Sequence, residues 1–253
     1  QLKDTENRDK YKVYGELINI YGYSLPAGSK ELTALNYYTD QEITIPLDPT
    51  MTPQENSQKY FAKYNKQKRT FEALTELIKE TADDIQYLES ISNALDIAMS
   101  EADLAQIKEE LMQSGYIKRK FTKKKVKLTS KPMHYISGDG YHMYVGKNNL
   151  QNDELTFSFA SGNDWWFHAK GAPGSHVIVK TNGDELPDRT FEDAGRLAAY
   201  YSKNRGSDKV EIDYVEKKHV KKPNGAKPGF VVYYTNYSLV IDSDISEIEN
   251  VQD

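Results

Sequence analysis

The chain has 253 residues, no cysteine and a formal net charge of -5 at pH 7. That length permits one or two domains with cores of their own, while the lack of cysteine excludes a disulfide framework, thiolate metal sites and a cysteine nucleophile and fits a reducing, cytoplasmic compartment. No apolar run approaches the roughly 18 residues of a membrane span, and the opening QLKDTENRDK is neither a secretory signal nor an initiator methionine, so the chain reads as a soluble fragment.

In chain order, residues 9–24 place Tyr14, Leu17, Ile18 and Tyr21 at helical spacing and predict an amphipathic helix ending near Gly22 and Pro26. ELTALNYY and QEITIPL then alternate around Thr39 and Asp40 as a small hairpin does, and Pro46, Pro49 and Pro53 close it. From Pro53 to Gly115 there is no further glycine or proline. Phe71, Leu74, Ile78, Thr81, Ile85, Leu88, Ser92, Leu95 and Met99 recur by threes and fours, the seam of a coiled-coil arm or of a helix buried in a bundle. A break near Ser100 and a short helix from Ala102 to Met112 follow, stopped by Gly115. The first helix is too short to cover the long one, so the stretch of coil that pairs with residues 80–99 is expected upstream of Gln1, and a dimer through the uncovered coil is the other way to bury it.

Residues 116–131 hold eight basic side chains and no acidic one, Lys123, Lys124 and Lys125 among them. Such a block is either a solvated linker or an interaction segment for a polyanion. Beyond it, residues 132–253 predict a separate domain with strands at Met133 to Ser137, Tyr141 to Gly146, Trp165 to Ala169, His176 to Lys180, Lys209 to Val215 and Phe230 to Tyr234. Helices are expected around Asn148 to Ala160 and in PDRTFEDAGRLAAYYSKNRG. The whole is α+β, a helical arm with an inserted hairpin (1–115), a basic linker and a compact mixed domain.

Both tryptophans of the chain lie side by side in DWWFHAKGAPGSH, residues 164–176. A strand there sends Trp165, Phe167 and Ala169 to one face and Trp166, His168 and Lys170 to the other. The first set suits a core. The second combines a stacking surface, a hydrogen-bonding ring and a cation, as a single-stranded nucleic acid or an exposed tRNA base requires, unless both tryptophans are core and His168 bonds internally. Gly174, Ser175 and His176 lie in a stretch able to form either an anion-binding nest of backbone donors or a plain tight turn. Further on, Lys217, Lys218, Lys221 and Lys222 gather in EKKHVKKPNGAK, a solvated loop or a set of phosphate contacts. The sequence holds no GxSxG elbow and no HExxH pair, and His134, His142 and His219 complete no ligand set, so catalysis, metal binding and a cofactor are not expected.

DWWFHAKGAPGSH resembles the D-x-W-F-H-x-K-x-x-P-G-S-H signature of the NFACT-R domain. VGKNNLQNDELT (145–156) and IPLDPTMTPQENSQKYFAKYNKQKR (45–69) resemble the segment upstream of that signature and the middle of the coiled-coil arm of the NFACT family. One departure is Ser158, where relatives carry a basic residue. The resemblance implies an RNA-binding module from a ribosome-associated quality control factor. Its partners would be the large ribosomal subunit holding an obstructed nascent chain and alanyl-tRNA, recruited for alanine tailing. The family is also named for fibronectin binding, which implies an alternative, an anchorless adhesin at the cell surface.

Overall fold

The computed structural model describes residues 2–118 and 130–251 and divides into two compact units between Asp83 and Asp84. Residues 119–129 of the predicted basic block 116–131, Lys123, Lys124 and Lys125 among them, lie outside the described residues.

In the first unit a short α1 (Leu2–Glu6) precedes α2 (Asp9–Tyr21), which packs on a two-stranded antiparallel hairpin, β1 (Glu31–Asn36) and β2 (Gln41–Pro46). Leu17 and Ile18 from the helix meet Leu32, Ala34 and Ile45 from the strands. The long α3 (Pro53–Ile97) begins here. Its start is written locally: Thr52 and Glu55 close a reciprocal capping box, with Glu55 Oε2 accepting from Thr52 N at 2.7 Å and Thr52 Oγ1 accepting from Glu55 N at 3.2 Å. Pro53 supplies the preset φ of a first helical residue.

The second unit opens with the end of α3 and α4 (Glu101–Gln113), which begins at a second capping box between Ser100 and Asp103. α4 ends in a Schellman motif at Gly115, whose φ of +81° suits glycine. Tyr116 N donates to Leu111 O and Gly115 N to Met112 O. Residues 84–115, which the sequence groups with the arm, thus pack inside the same compact unit as the domain that follows. The face of α3 that α4 covers also differs from the predicted seam. Tyr87, Ile91 and Ala94 are buried with Ile107, while Ile85, Leu88, Leu95 and Met99 stay exposed. Two apolar stripes run side by side on this part of the helix, and between residues 85 and 99 the heptad rule selects the exposed one.

The remainder is a seven-stranded antiparallel sheet in the order β10-β7-β5-β6-β4-β3-β11. The strands are β3 (Met133–Ile136), β4 (His142–Val145), β5 (Trp165–Ala169), β6 (Val177–Val179), β7 (Val210–Glu216), β10 (Tyr237–Ile241) and β11 (Glu249–Asn250). One face is covered by α6 (Asp188–Tyr200), through Ala194, Leu197 and Ala198 on Phe167, Val177 and Ile212. Over part of the other face lie α5 (Asn149–Glu154), the π-helical turn 155–159 that continues it, and a small hairpin of β8 (Val220–Lys221) and β9 (Val232–Tyr233). The predicted strands and helices are present within a few residues, and α1, β8, β10 and β11 are additions: β8 and β11 are only two residues long, while β10 (YSLVI) carries β-forming residues outside the predicted strands.

Candidate nucleic-acid interface

β5 lies at the middle of the sheet, between β6 and β7, so both of its faces meet other elements. Phe167 and Ala169 enter the core under α6, as the strand alternation requires. Trp166 points to the other face and is 0% exposed, enclosed by Leu155, Ile178, Val215 and Val220. The expectation that Trp166 offers a stacking surface is therefore corrected: remote segments roof that face. Trp165 is the half-buried ring of the pair, held among Phe191, Tyr214 and Tyr237.

His168 is partly buried and His176 fully buried, and with Trp166 they make a compact ring cluster. The imidazole centroids are 5.5 Å apart and each lies within 5.6 Å of the indole. Burial pushes the His168 imidazole down to about 4, against a hydrogen bond to the Gly174 carbonyl and the nearby Asp213 carboxylate. Burial also holds His176 well below the ordinary histidine value, and the neighbouring His168 adds to that effect. His176 Nδ1 lies 2.8 Å from Thr156 Oγ1, and its ring is also hydrogen-bonded to the Gly229 carbonyl. Both rings are neutral structural groups at pH 7 and supply no charge for phosphate.

The turn 171–176 is corrected likewise. Ser175 N donates to Tyr201 O at 3.0 Å and His176 N to Asn152 Oδ1 at 3.0 Å, and both residues are buried. Gly174 forms an isolated bridge with Ser202. Donors spent inside the fold cannot cradle an anion, so the plain-turn alternative describes Gly174, Ser175 and His176. The sequence missed the partner of this turn. Asn152 sits so close to Gly146 that a Cβ there would lie 2.2 Å from Asn152 Oδ1, which only glycine avoids.

The KNNLQN stretch is equally interior. Lys147 Nζ pairs with Asp103 Oδ1 at 3.2 Å, Asn148 Nδ2 and Gln151 Nε2 both donate to Gln106 Oε1, and Asn149 Nδ2 donates to Ser90 Oγ and Glu110 Oε1. These bonds fasten the end of α3 and all of α4 to the start of α5. Burial would raise the Asp103 carboxyl, but hydrogen bonds from Ser130, Met99 N, Lys147 and Ser100 hold it at about 2. Glu110, which makes no ion pair among the described residues, is raised by burial.

The cations divide into committed and available ones. Lys170 pairs with Glu211, Lys218 with Glu216 at 2.6 Å, and Lys222 with Asp153. Lys217 and Lys221 make no ion pair among the described residues, and Lys217 lies 5.9 Å over the Phe157 ring. Lys217 and Lys218 are fixed beside the 161–164 loop by Lys217 N to Asp164 O and Lys218 N to Gly162 O. Over β3 and β4 the same sheet face carries His134, His142 and Tyr144, and Phe159 borders it. Phe159, Lys180 and the 161–164 loop that holds Lys217 and Lys218 thus adjoin the rings of β3 and β4, while the predicted Trp166, His168, Ser175 and His176 lie beneath the roof.

Comparison with known proteins places these features in a family. Residues 1–130 match the model of the NFACT N-terminal and middle domains, and residues 131–235 match that of the NFACT protein RNA binding domain. The Rqc2 homolog RqcH of Streptococcus suis is 43% identical over 253 residues, covering 100% of this chain and 45% of the relative. The Rqc2 homolog RqcH of Bacillus subtilis is 39% identical over 254 residues, covering 98% of this chain and 44% of the relative. The chain therefore spans under half the length of the curated relatives it matches. A solved structure, the C-terminal part of the fibronectin/fibrinogen-binding protein from Streptococcus suis, aligns with a TM-score of 0.70 at 37% identity, over 97% of this chain and 88% of that one.

Proposed function

The chain belongs to the NFACT family, and we propose that it is the RNA- and ribosome-contacting part of a ribosome-associated quality control factor. The observation that carries this reading is the match of 131–235 to an RNA-binding domain within a chain that aligns end to end with RqcH relatives. In the fuller form of the proposal, the whole protein binds large subunits obstructed by peptidyl-tRNA and recruits alanyl-tRNA for alanine tailing. Within this part, Lys217 and Lys221 meet phosphate together with the basic block that contains Lys123, Lys124 and Lys125. Lys170, Lys218 and Lys222 join them only by exchanging their carboxylate partners for phosphate. No helix among the described residues is long and apolar enough to cross a membrane.

The test is recovery of the full-length protein from its own cells, with sequencing of the bound RNA. Large-subunit RNA with one enriched tRNA is the expected result. Recovery without ribosomal RNA would reject the reading.

A second reading, adhesion through fibronectin, is favoured by the name of the solved neighbour. Surface labelling of intact cells and binding to immobilised fibronectin test it, and a protein retained wholly inside the cell would reject it.

A further inference from the structure

Among the described residues, the roof on the sheet face that carries Trp166 reaches β4 at Tyr144, and over β3 and β4 the face bears a row of rings. His134 and Tyr144 are directly opposed across the two strands, with centroids 4.6 Å apart and planes 3° from parallel. His142 stacks 5.0 Å from His134 and shares a 2.8 Å hydrogen bond with it. Phe159 closes the row edge-on to Tyr144 at 4.7 Å and is 42% exposed. It is the last residue of the π-helical turn, a rare local geometry often found at functional sites. Lys180 lies 5.0 Å over the Phe159 ring, and its ion pair with Asp164 fixes it there.

We propose that this row is a stacking site for the unpaired bases of single-stranded RNA, with His142 and Phe159 as the two exposed stacking positions and Lys217 and Lys221 as the phosphate-side cations, joined by Lys218 where it exchanges Glu216 for phosphate. It rests on the RNA-binding reading above and adds to it a site and a class of RNA. Rings of this kind accept any base because every base has a π-face, and lysines beside them track the backbone. The 161–164 loop links the two parts, since Lys180 and Asp164 sit under Phe159 while Lys217 and Lys218 bond to the same loop. At the other end Glu249, opposite Ile136 on β11, sets a limit by repelling phosphate. Duplex RNA keeps its base faces stacked inside the helix and cannot use the row.

Binding of single-stranded oligo(A) to the 253-residue chain, against an abasic strand of equal length and a duplex, tests the proposal. Phe159→Ala and His142→Ala should each weaken oligo(A) binding about ten-fold, the worth of one stacked base. Phe159→Tyr should keep it. The abasic strand should bind weakly to the unchanged chain and respond to none of the three substitutions. If both alanine variants bind oligo(A) as tightly as the unchanged chain, while Lys217→Glu with Lys221→Glu weakens it, the row is not the site and the RNA-binding reading stands. If Phe159→Tyr loses binding as fully as Phe159→Ala, the ring is not acting by stacking and the proposal fails. If the unchanged chain binds none of these RNAs, the RNA-binding reading falls and takes the proposal with it.

Discussion

The two halves of one sheet face carry similar residues and have opposite fates. Over β5, β6 and β7, Trp166, His168 and Ile178 lie under Leu155, Val220 and Tyr233. Over β3 and β4, Tyr144 meets only the edge of that roof and His142 is exposed. Strand alternation states which side of a sheet a residue takes, but not whether that side is covered. Cover comes both from the neighbouring turn at Leu155 and from β8 and β9, more than fifty residues beyond Trp166, and here it makes an interior of one half and a surface of much of the other.

The largest way to break that contrast is at Trp166. Trp166→Ala should cost about 3–5 kcal/mol, the range for deleting a buried aromatic, and unfold much of the second unit. Trp166→Phe should cost far less, because the buried indole Nε1 has no hydrogen-bond partner among the described residues. Urea denaturation followed by circular dichroism reads both. An alanine variant as stable as the unchanged chain would mean that the roof is not formed.

Next is the response to acid. His168 in the folded protein titrates near 4 against 6.5 for the free side chain, because burial disfavours the imidazolium. As pH falls from about 6.5 towards 4 the unfolded chain takes up a proton that the folded one refuses, so stability is lost across that window. It should decline by on the order of 2 kcal/mol for this ring alone, since it is only partly buried. His176, lowered in the same direction, adds to the loss. Asp103 acts in a separate window, its stabilisation being lost only as pH falls from about 3.8 towards 2. Urea midpoints between pH 7 and pH 4 should decline, and His168→Gln should flatten the curve.

Much of this was legible in the sequence and some was not, for reasons that particular residues make plain. The caps of α3 and α4 and the strand at Trp165 follow from local rules, because Thr52, Glu55, Ser100, Asp103 and the alternating aromatics act on their near neighbours. The site was harder. Asn148, Asn149, Gln151 and Asn152 look like a solvated polar run, yet they are buried because their partners, Gln106, Glu110, Ser90 and His176, come from elsewhere in the chain. His134 and Tyr144 become a stacked pair only through the β3–β4 register. The resemblance identified the family, whereas many of the residues in its motif serve the interior.

The fastening of α4 to α5 gives a smaller effect and sharpens the contrast, since the roof begins at α5. Asp103→Ala removes the N3 half of the capping box and leaves Lys147 without its partner, and should cost about 1–3 kcal/mol. Glu110→Gln should change stability little. It keeps an acceptor for Asn149 and Tyr87 and removes a buried charge that burial already disfavours. If Glu110→Gln proves the more costly of the two, the carboxylate is ionised and needed at the start of α5.

The smallest effect on stability belongs to the exposed lysines, and it isolates the open half. Lys217→Gln and Lys221→Gln break no ion pair among the described residues, so each should shift unfolding by no more than about 0.5 kcal/mol. Their consequence should appear in the salt dependence of RNA binding. Each neutralised phosphate contact releases condensed counterions, so losing one contact should lower the log–log salt slope by about one unit for structured RNA and somewhat less for a single strand. Lys222→Gln is the control, because it strands Asp153 at the α5 end of the roof and should act on stability before it acts on RNA. Phe159→Ala should do the reverse of the lysine variants, weakening a single strand at every salt concentration with no change in slope, because stacking releases no counterions. A slope that falls with Phe159→Ala, or holds with Lys217→Gln and Lys221→Gln together, would assign the rings and the cations of this strip to the wrong roles.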